Sequence, residues 1–123
     1  MEQPDKLPTP DQEWPESLDA LVAASGQHRV LMENERVRVL DTRIAPGDTV
    51  PLHTHRWPAV LHVISSSDFV RYDPNGQILL DSRTLPAKPA AGDVLWSPPL
   101  PPHSLQNVGV TELRVIAVEL KDA

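Results

Sequence analysis

Hydrophobic and polar side chains alternate along most of the chain beyond its first quarter. Val37 and Val39 alternate with charged residues, which is the period-two pattern of a strand that buries one face. Near the C-terminus, Leu113, Val115 and Ala117 show the same alternation. The pattern therefore predicts strands, with Val37 and Val39 on the buried face of theirs.

Similar short segments recur about every ten residues and predict nine or ten strands. The predicted strands are residues 30–32, 36–44, 49–55, 59–65, 69–72, 77–80, 93–97, 104–108 and 112–120. Turn residues separate them, most clearly the Asp-Pro-Asn-Gly sequence at residues 73–76, which predicts a hairpin. We expect the prolines at strand ends and in connections, because proline cannot donate to a strand ladder. This spacing favours an all-β sandwich or barrel.

The N-terminal part of the chain differs from the rest. Residues 1–15 are rich in proline and acidic side chains, which predicts a flexible arm. One short amphipathic helix is expected after it, with Ser17 as N-cap, an apolar face of Leu18, Leu21 and Val22, and Gly26 at its end. We therefore divide the chain into an arm with a short helix at 1–27 and a β-domain at 28–123.

Composition excludes several classes of function. The chain has no cysteine, so disulfides and thiolate ligands are ruled out, and any metal must be held by His, Asp or Glu. A net charge of −6 argues against nucleic acid and anionic membranes as partners. No apolar run approaches the roughly 20 residues of a membrane-spanning helix, and no secretion signal is visible. A cytoplasmic protein with a small-molecule ligand is the expectation.

Three histidines have informative surroundings. His53 and His55 stand two residues apart in a predicted strand, so both rings should project from one face. His103 follows a proline-rich connection into another strand. Three imidazoles from two neighbouring strands suit a divalent metal, although a surface His pair is the alternative. His28, next to the end of the helix, is expected on the surface.

The spacing around these histidines resembles the two motifs of the cupin superfamily. The first set is Gly47-x5-His53-x-His55, and the second is Gly92-x5-Pro98-x4-His103-x3-Asn107. The resemblance covers roughly residues 28–121 and implies a double-stranded β-helix, the jelly-roll barrel of cupins. It also implies that the histidines bind metal and that the other matched residues are structural: Gly47, Gly92, Pro98 and Asn107.

The chain departs from the cupin motifs at several positions. Cupins usually supply a Glu as fourth ligand four or five residues after the second His, where this chain has Ala59 and Val60. Ser66 and Leu100 replace motif glycines. His62 is an alternative fourth ligand, but only if a bulge near residue 58 turns it inward.

A site of three histidines resembles the Fe(II) cupins that oxidise thiols or cleave diketones. Neutral ligands leave the full charge on the metal, so an anionic chelating molecule is the expected ligand. Fe(II) is favoured, and Zn, Mn or Ni remain open. A metal-dependent dioxygenase or isomerase is one interpretation, and a non-catalytic binding or storage protein with weak or absent metal is the other.

Two kinds of residue are candidates for the surroundings of the metal. Core or interface packing is the first interpretation of Trp57 and Trp96, and the alternative is that one of them walls a ligand pocket. Arg56 could pair with a ligand carboxylate, or it could be exposed. Because so short a chain leaves sheet edges to be covered, a homodimer is also predicted.

Overall fold

The computed structural model describes residues 14–121, and nearly all of the predicted arm lies outside the described residues. This part of the chain forms nine strands and a short helix, α1 (Ala20–Ala23), which follows a 3₁₀ turn at Glu16–Leu18. The strands are β1 (His28–Glu33), β2 (Val37–Ile44), β3 (Thr49–His55), β4 (Ala59–Ser65), β5 (Phe69–Tyr72), β6 (Ile78–Asp81), β7 (Val94–Ser97), β8 (Leu100–Asn107) and β9 (Leu113–Leu120).

The strands form two antiparallel sheets. One has the order β1-β2-β9-β4-β7, and the other has the order β3-β8-β5-β6. Apolar side chains from both sheets pack together between them, among them Ile44 from β2, Val50 from β3 and Leu113 from β9. The predicted all-β architecture is confirmed. The division of the chain at residue 28 stays a prediction.

The short helix begins later than the sequence pattern indicated. Asp19, not Ser17, is its N-cap, and its carboxylate accepts a hydrogen bond of 3.1 Å from the Leu21 backbone N–H. The predicted apolar face is wrong at Val22, which is 61% exposed, whereas Leu21 packs against the core and Ala20 is buried. The reason is the 3₁₀ turn, which shifts the start of the helix and rotates its buried face.

The predicted buried face of β2 is wrong as well. Arg38, Leu40 and Ile44 are buried, whereas Val37 and Val39 are only half-buried. Arg38 is 5% exposed because buried carboxylates pair with it inside the barrel. The alternation therefore identified the strand correctly, but the face that contains Arg38, and not the face with Val37 and Val39, is the buried one.

Not all prolines lie at strand ends. Pro51 is inside β3, an edge strand, where the pairing with β8 shifts register between Val50 and His53. Pro101 and Pro102 lie in β8, before the residues that pair with β5. Edge strands and irregular pairs tolerate proline because no ladder hydrogen bond is lost there.

Candidate metal centre

Strands β3 and β8 bring three of the histidines together. His53 and His103 are directly paired across the two strands, and their ring centroids are 4.3 Å apart. The ring of His55 lies 4.9 Å from that of His53 and 5.8 Å from that of His103. The rings predicted from the motif therefore form one cluster, and their role as ligands stays a prediction.

A fourth imidazole joins this cluster from β1. The expectation that His28 is a surface residue is wrong, because it is 5% exposed and its ring lies 5.1 Å from His53 and 5.2 Å from His55. Potential ligand atoms of His28, His53 and His55 all lie within 4.8 Å of one another. His28 pairs with Thr42 of β2, a residue that lines the interior, which explains why its side chain points inward.

All four rings use Nδ1 to bond the surrounding protein. His53 and His103 donate from Nδ1 to the carbonyl two residues earlier, that of Pro51 and Pro101 respectively, each at 2.7 Å. His28 donates from Nδ1 to a carbonyl of the helical segment at 3.0 Å. His55 donates from Nδ1 to a buried carboxylate at 3.3 Å. Because a carbonyl can only accept, the bonds of His28, His53 and His103 leave their Nε2 lone pairs for another partner, and an ionised Glu119 carboxylate does the same for His55.

The Nε2 atoms of His53 and His55 lie only 3.1 Å apart. Burial lowers the pKa of His53 to about 2 and that of His55 to about 3, so both rings are neutral at ordinary pH. Burial also lowers the pKa of His103 to about 3. Two neutral rings that both donate from Nδ1 point lone pairs at each other, and a shared cation removes that repulsion. The donor set fits a divalent metal.

A buried ionic network lies behind His55. The carboxylate that accepts from its Nδ1 belongs to Glu119, which is fully buried and also accepts from Arg38 Nε. Arg38 in turn donates to both carboxylate oxygens of Asp19, at 3.0 and 3.1 Å. A carboxylate that orients a metal-binding imidazole in this way fixes its tautomer and raises its basicity.

The pKa values in this network reflect burial and pairing. Burial raises the pKa of Glu119, and Arg38 opposes that rise. Burial acts in the same direction on Asp19, but the hydrogen bonds and charge of Arg38, together with the Leu21 N–H and Arg56, outweigh it and hold the pKa of Asp19 below its ordinary value. Arg38 therefore carries the positive charge that both carboxylates need.

Next to the histidines is a cavity of about 390 Å³ between the sheets. Trp57 and Trp96 both line it, although Trp96 is 61% exposed. Most of the other lining side chains are apolar, including Leu61, Leu80, Leu95, Leu100 and Leu105. A cavity of this size and polarity suits a small ligand with an apolar body.

The structure directs Arg56 away from this cavity. Its Nε lies 3.7 Å from a carboxylate oxygen of Asp19, and its guanidinium lies over the Trp57 ring at 5.5 Å. It is absent from the cavity wall, where Arg71 of β5 stands instead. The hypothesis that Arg56 binds a ligand carboxylate is therefore not supported.

His62 is not brought to the cluster either. The side chain is exposed, whereas Ala59, Leu61 and Val63 line the cavity, as the simple strand register predicted. The pairing of β4 with β9 runs without a shift from Ala59 to Val63, and the irregularity comes after it. The inward turn that a fourth ligand at His62 required is absent.

The remaining motif residues lie in turns and at the ends of strands. Gly47 and Gly92 have φ values of +80° and +94°, which side chains with a Cβ rarely adopt. Pro98 lines the cavity. Asn107 is fully buried and donates from Nδ2 to the carbonyls of Ile44 and Thr111, which ties β8 to the following loop.

Sequence reasoning missed Glu119, although a signal for it was present. The predicted alternation of Leu113, Val115 and Ala117 continues to residue 119, so the same face of β9 carries all four residues inward. Glu119 also pairs directly with Ala59, the position where cupins usually have their glutamate. The carboxylate is thus placed on the neighbouring strand, where it bonds His55 Nδ1.

Comparison with solved structures identifies the fold. The chain is similar to a cupin domain from Bordetella pertussis, with a TM-score of 0.63 and 23% identity over 76% of this chain and 91% of that chain. The chain has the cupin fold. A protein with a double-stranded β-helix domain from Klebsiella pneumoniae is also similar, with a TM-score of 0.53 and 22% identity over 80% of this chain and 81% of that one.

An enzyme is also among the similar solved structures. The polyketide cyclase RemF from Streptomyces resistomycificus has a TM-score of 0.51 and 18% identity, over 77% of this chain and 64% of that one. At these identities the likeness concerns the fold. No protein-family model and no curated protein matches the chain. Among residues 14–121, no helix is long and apolar enough to cross a membrane.

Proposed function

We propose that this cupin-fold protein holds one divalent metal ion at its histidine cluster and offers it to a small anionic chelating molecule. The observation that carries the proposal is the 3.1 Å approach of the Nε2 atoms of His53 and His55, two neutral rings whose Nδ1 atoms are both engaged. A shared cation is the simplest partner for these lone pairs. His103 and His28 are the candidates for the third ligand.

The neutral donor set decides the class of ligand. Imidazoles do not reduce the charge of a divalent ion, and the carboxylate of Glu119 is already engaged by Arg38 and His55. An anionic chelating molecule therefore gains more at this site than a neutral one. The apolar cavity wall would exclude water and hold the ligand's apolar part.

The metal would supply a Lewis acid, and Fe(II), the favoured ion, would also supply reactivity toward O2. The described chain holds the four rings in one tautomer through their Nδ1–H bonds. Glu119 and Arg38 keep His55 in place. A dioxygenase acting on a diketone or thiol is the catalytic form of the proposal, and a metal-dependent binding protein without turnover is its alternative.

Metal analysis of purified protein after anaerobic incubation with Fe(II) tests the proposal. We expect about one equivalent in the wild type and in the control His62→Ala, and less than about a tenth of that in His53→Ala. His28→Ala and His103→Ala identify the third ligand, because only its loss should release the ion. Stoichiometric metal in His53→Ala would refute the site.

Oxygen uptake separates the two forms of the proposal. The Fe(II) protein is mixed with a panel of 1,3-diketones and thiols in an oxygen electrode cell. Uptake that disappears in His53→Ala supports a dioxygenase. Binding of a panel member without uptake supports the non-catalytic form.

A further inference from the structure

Arg71 of β5 lines the cavity, and no described residue accepts a hydrogen bond from its Nε. Its Nε is buried and has no hydrogen-bond partner, and no ion pair joins its guanidinium to any residue of the described range 14–121. It lines the same cavity as the histidines and the leucines. Arg71 as a residue is half-buried, but its Nε is shut off from water without a partner among the described residues, which is costly. An anion from outside the described chain would stabilise the guanidinium.

The strand register places Arg71 beside the histidine cluster. Arg71 pairs with Leu105 of β8, and His103 lies two residues before Leu105 on that strand. Residues two apart on a strand share a face, and directly paired residues do too. Arg71 and His103 are thus diagonal neighbours on the inner face, about 7–8 Å apart at their Cα atoms.

The acidic side chains near the cavity are already committed. Glu119 is the one carboxylate among the described cavity-lining residues, and it accepts from Arg38 and His55. Asp19 is held by the same Arg38 through two hydrogen bonds. Arg71 therefore adds an uncompensated positive charge to the cavity, close to a cluster of neutral rings.

We propose that Arg71 binds the carboxylate of a small organic acid whose apolar body lies against the leucines of the cavity. The planar guanidinium suits a carboxylate because two parallel N–H donors match its two oxygens. The cavity of about 390 Å³ accommodates a carboxylate with a ring or a branched chain of similar size. A second donor atom of the acid would face the metal, and only this last clause rests on the function proposed above.

Binding of benzoate to chelator-treated, full-length protein tests the role of Arg71 without any metal. Calorimetric titration compares the wild type with Arg71→Met, Arg71→Lys and the control Arg56→Met. We expect Arg71→Met to weaken benzoate binding roughly 10- to 100-fold, Arg71→Lys to weaken it less, and Arg56→Met to leave it unchanged. Benzamide, the neutral analogue, should bind weakly and equally to all four proteins.

Several results would overturn the inference. These are equal benzoate affinity in Arg71→Met and the wild type, equal affinity for benzamide and benzoate, or no benzoate binding to the wild type. Arg71→Lys guards against a folding artefact, since it keeps the charge and should keep much of the affinity.

A second titration separates this inference from the metal proposal. Salicylate, which offers a second oxygen donor, is titrated into Zn(II)-loaded and chelator-treated protein. Tighter binding to the loaded protein, with Arg71→Met weaker in both, supports both proposals. Equal binding to loaded and chelator-treated protein, with the Arg71 effect intact, contradicts the metal proposal alone.

Discussion

Two arginines reach the interior of this barrel from opposite sheets, and their surroundings differ. Arg38 of β2 meets Asp19 and Glu119, and every one of the three groups is buried. Arg71 of β5 lines the cavity together with leucines and imidazoles, and its buried Nε has no hydrogen-bond partner among residues 14–121. Arg38 therefore has its charged partners within the chain. Arg71 has none among the described residues and lines the cavity, where a ligand could bind it.

The comparison separates a structural charge from a charge that awaits a ligand. Arg38 offsets two carboxylates, and through Glu119 it helps orient His55. Arg71 neutralises no carboxylate among the described residues. Replacing it with an apolar side chain should therefore remove the unfavourable burial of Nε and leave no charge unpaired. Arg38 is also the more deeply buried of the two, since Arg71 is half-buried, but the main difference lies in their partners among the described residues.

The largest expected effect is on stability. Arg38→Met leaves two buried carboxylates without their counter-charge and should lower the free energy of unfolding by about 3–5 kcal/mol. Arg71→Met should change it by less than about 1 kcal/mol, or raise it. Urea denaturation of the two variants measures this difference. An equal loss of unfolding free energy in both variants would contradict the different roles assigned to the two arginines.

Acid should destabilise the metal-free protein because its buried histidine rings are neutral in the folded state. Burial lowers the folded-state pKa of His53 to about 2 and those of His55 and His103 to about 3, against 6.5 in an unfolded chain. Below pH 6.5 the unfolded chain therefore binds more protons, and the free energy of unfolding falls as the pH drops toward 3. Each ring contributes about 1.4 kcal/mol per pH unit, so three lose about 4 kcal/mol between pH 6 and 5.

Denaturation curves of chelator-treated protein at several pH values measure this slope. His53→Gln should reduce this slope by about one proton per molecule. Constant stability between pH 6.5 and 5 would show that the rings are not buried and neutral.

Glu119 links the network of Arg38 to the histidine cluster, and its loss should have a smaller effect. Glu119→Gln cannot accept equally well from both Arg38 and His55, so the ring of His55 loses its orientation. We expect metal affinity to fall about 10- to 100-fold, measured by competition with a chromophoric chelator. Glu112→Gln, an exposed change, is the control. Unchanged metal affinity in Glu119→Gln would show that the ionic network stabilises the fold but does not orient His55 for metal binding.

The smallest effect on stability is expected for substitutions on the edge strands β1 and β7. The homodimer stays a prediction, and exposed apolar side chains on the edge strands β1 and β7, such as Leu31 and Val94, are where a second copy would pack. Leu31→Lys with Val94→Lys should convert a dimer to a monomer in sedimentation, with less than about 0.5 kcal/mol change in the monomer. A monomeric wild type would contradict the prediction.

Strand positions were predictable because the alternation that marks a strand is local. The predicted bounds of β3, β4 and β5 agree with the structure, and the two histidine motifs gave the cupin fold. His53 and His55 are two residues apart, so their shared face followed from strand geometry alone.

Other features depend on which strands pair and which face closes on the core. His28 becomes buried because β1 pairs with β2 beside the cluster, and its sequence context carries no sign of that pairing. Arg38 contradicts the apolar pattern because its partners come from the helix and from β9. Arg71 shares its face with Phe69, but only the cavity distinguishes it from an exposed arginine.

The convergence of imidazole Nε2 atoms on a single ion is tested most directly by nitrogen NMR of the histidine rings during Zn(II) titration. Our account predicts that one equivalent shifts the Nε2 resonances of His53, His55 and a third ring together, while their Nδ1 atoms stay protonated. Nε2 resonances that do not respond to Zn(II), or that respond at different equivalents, would contradict it.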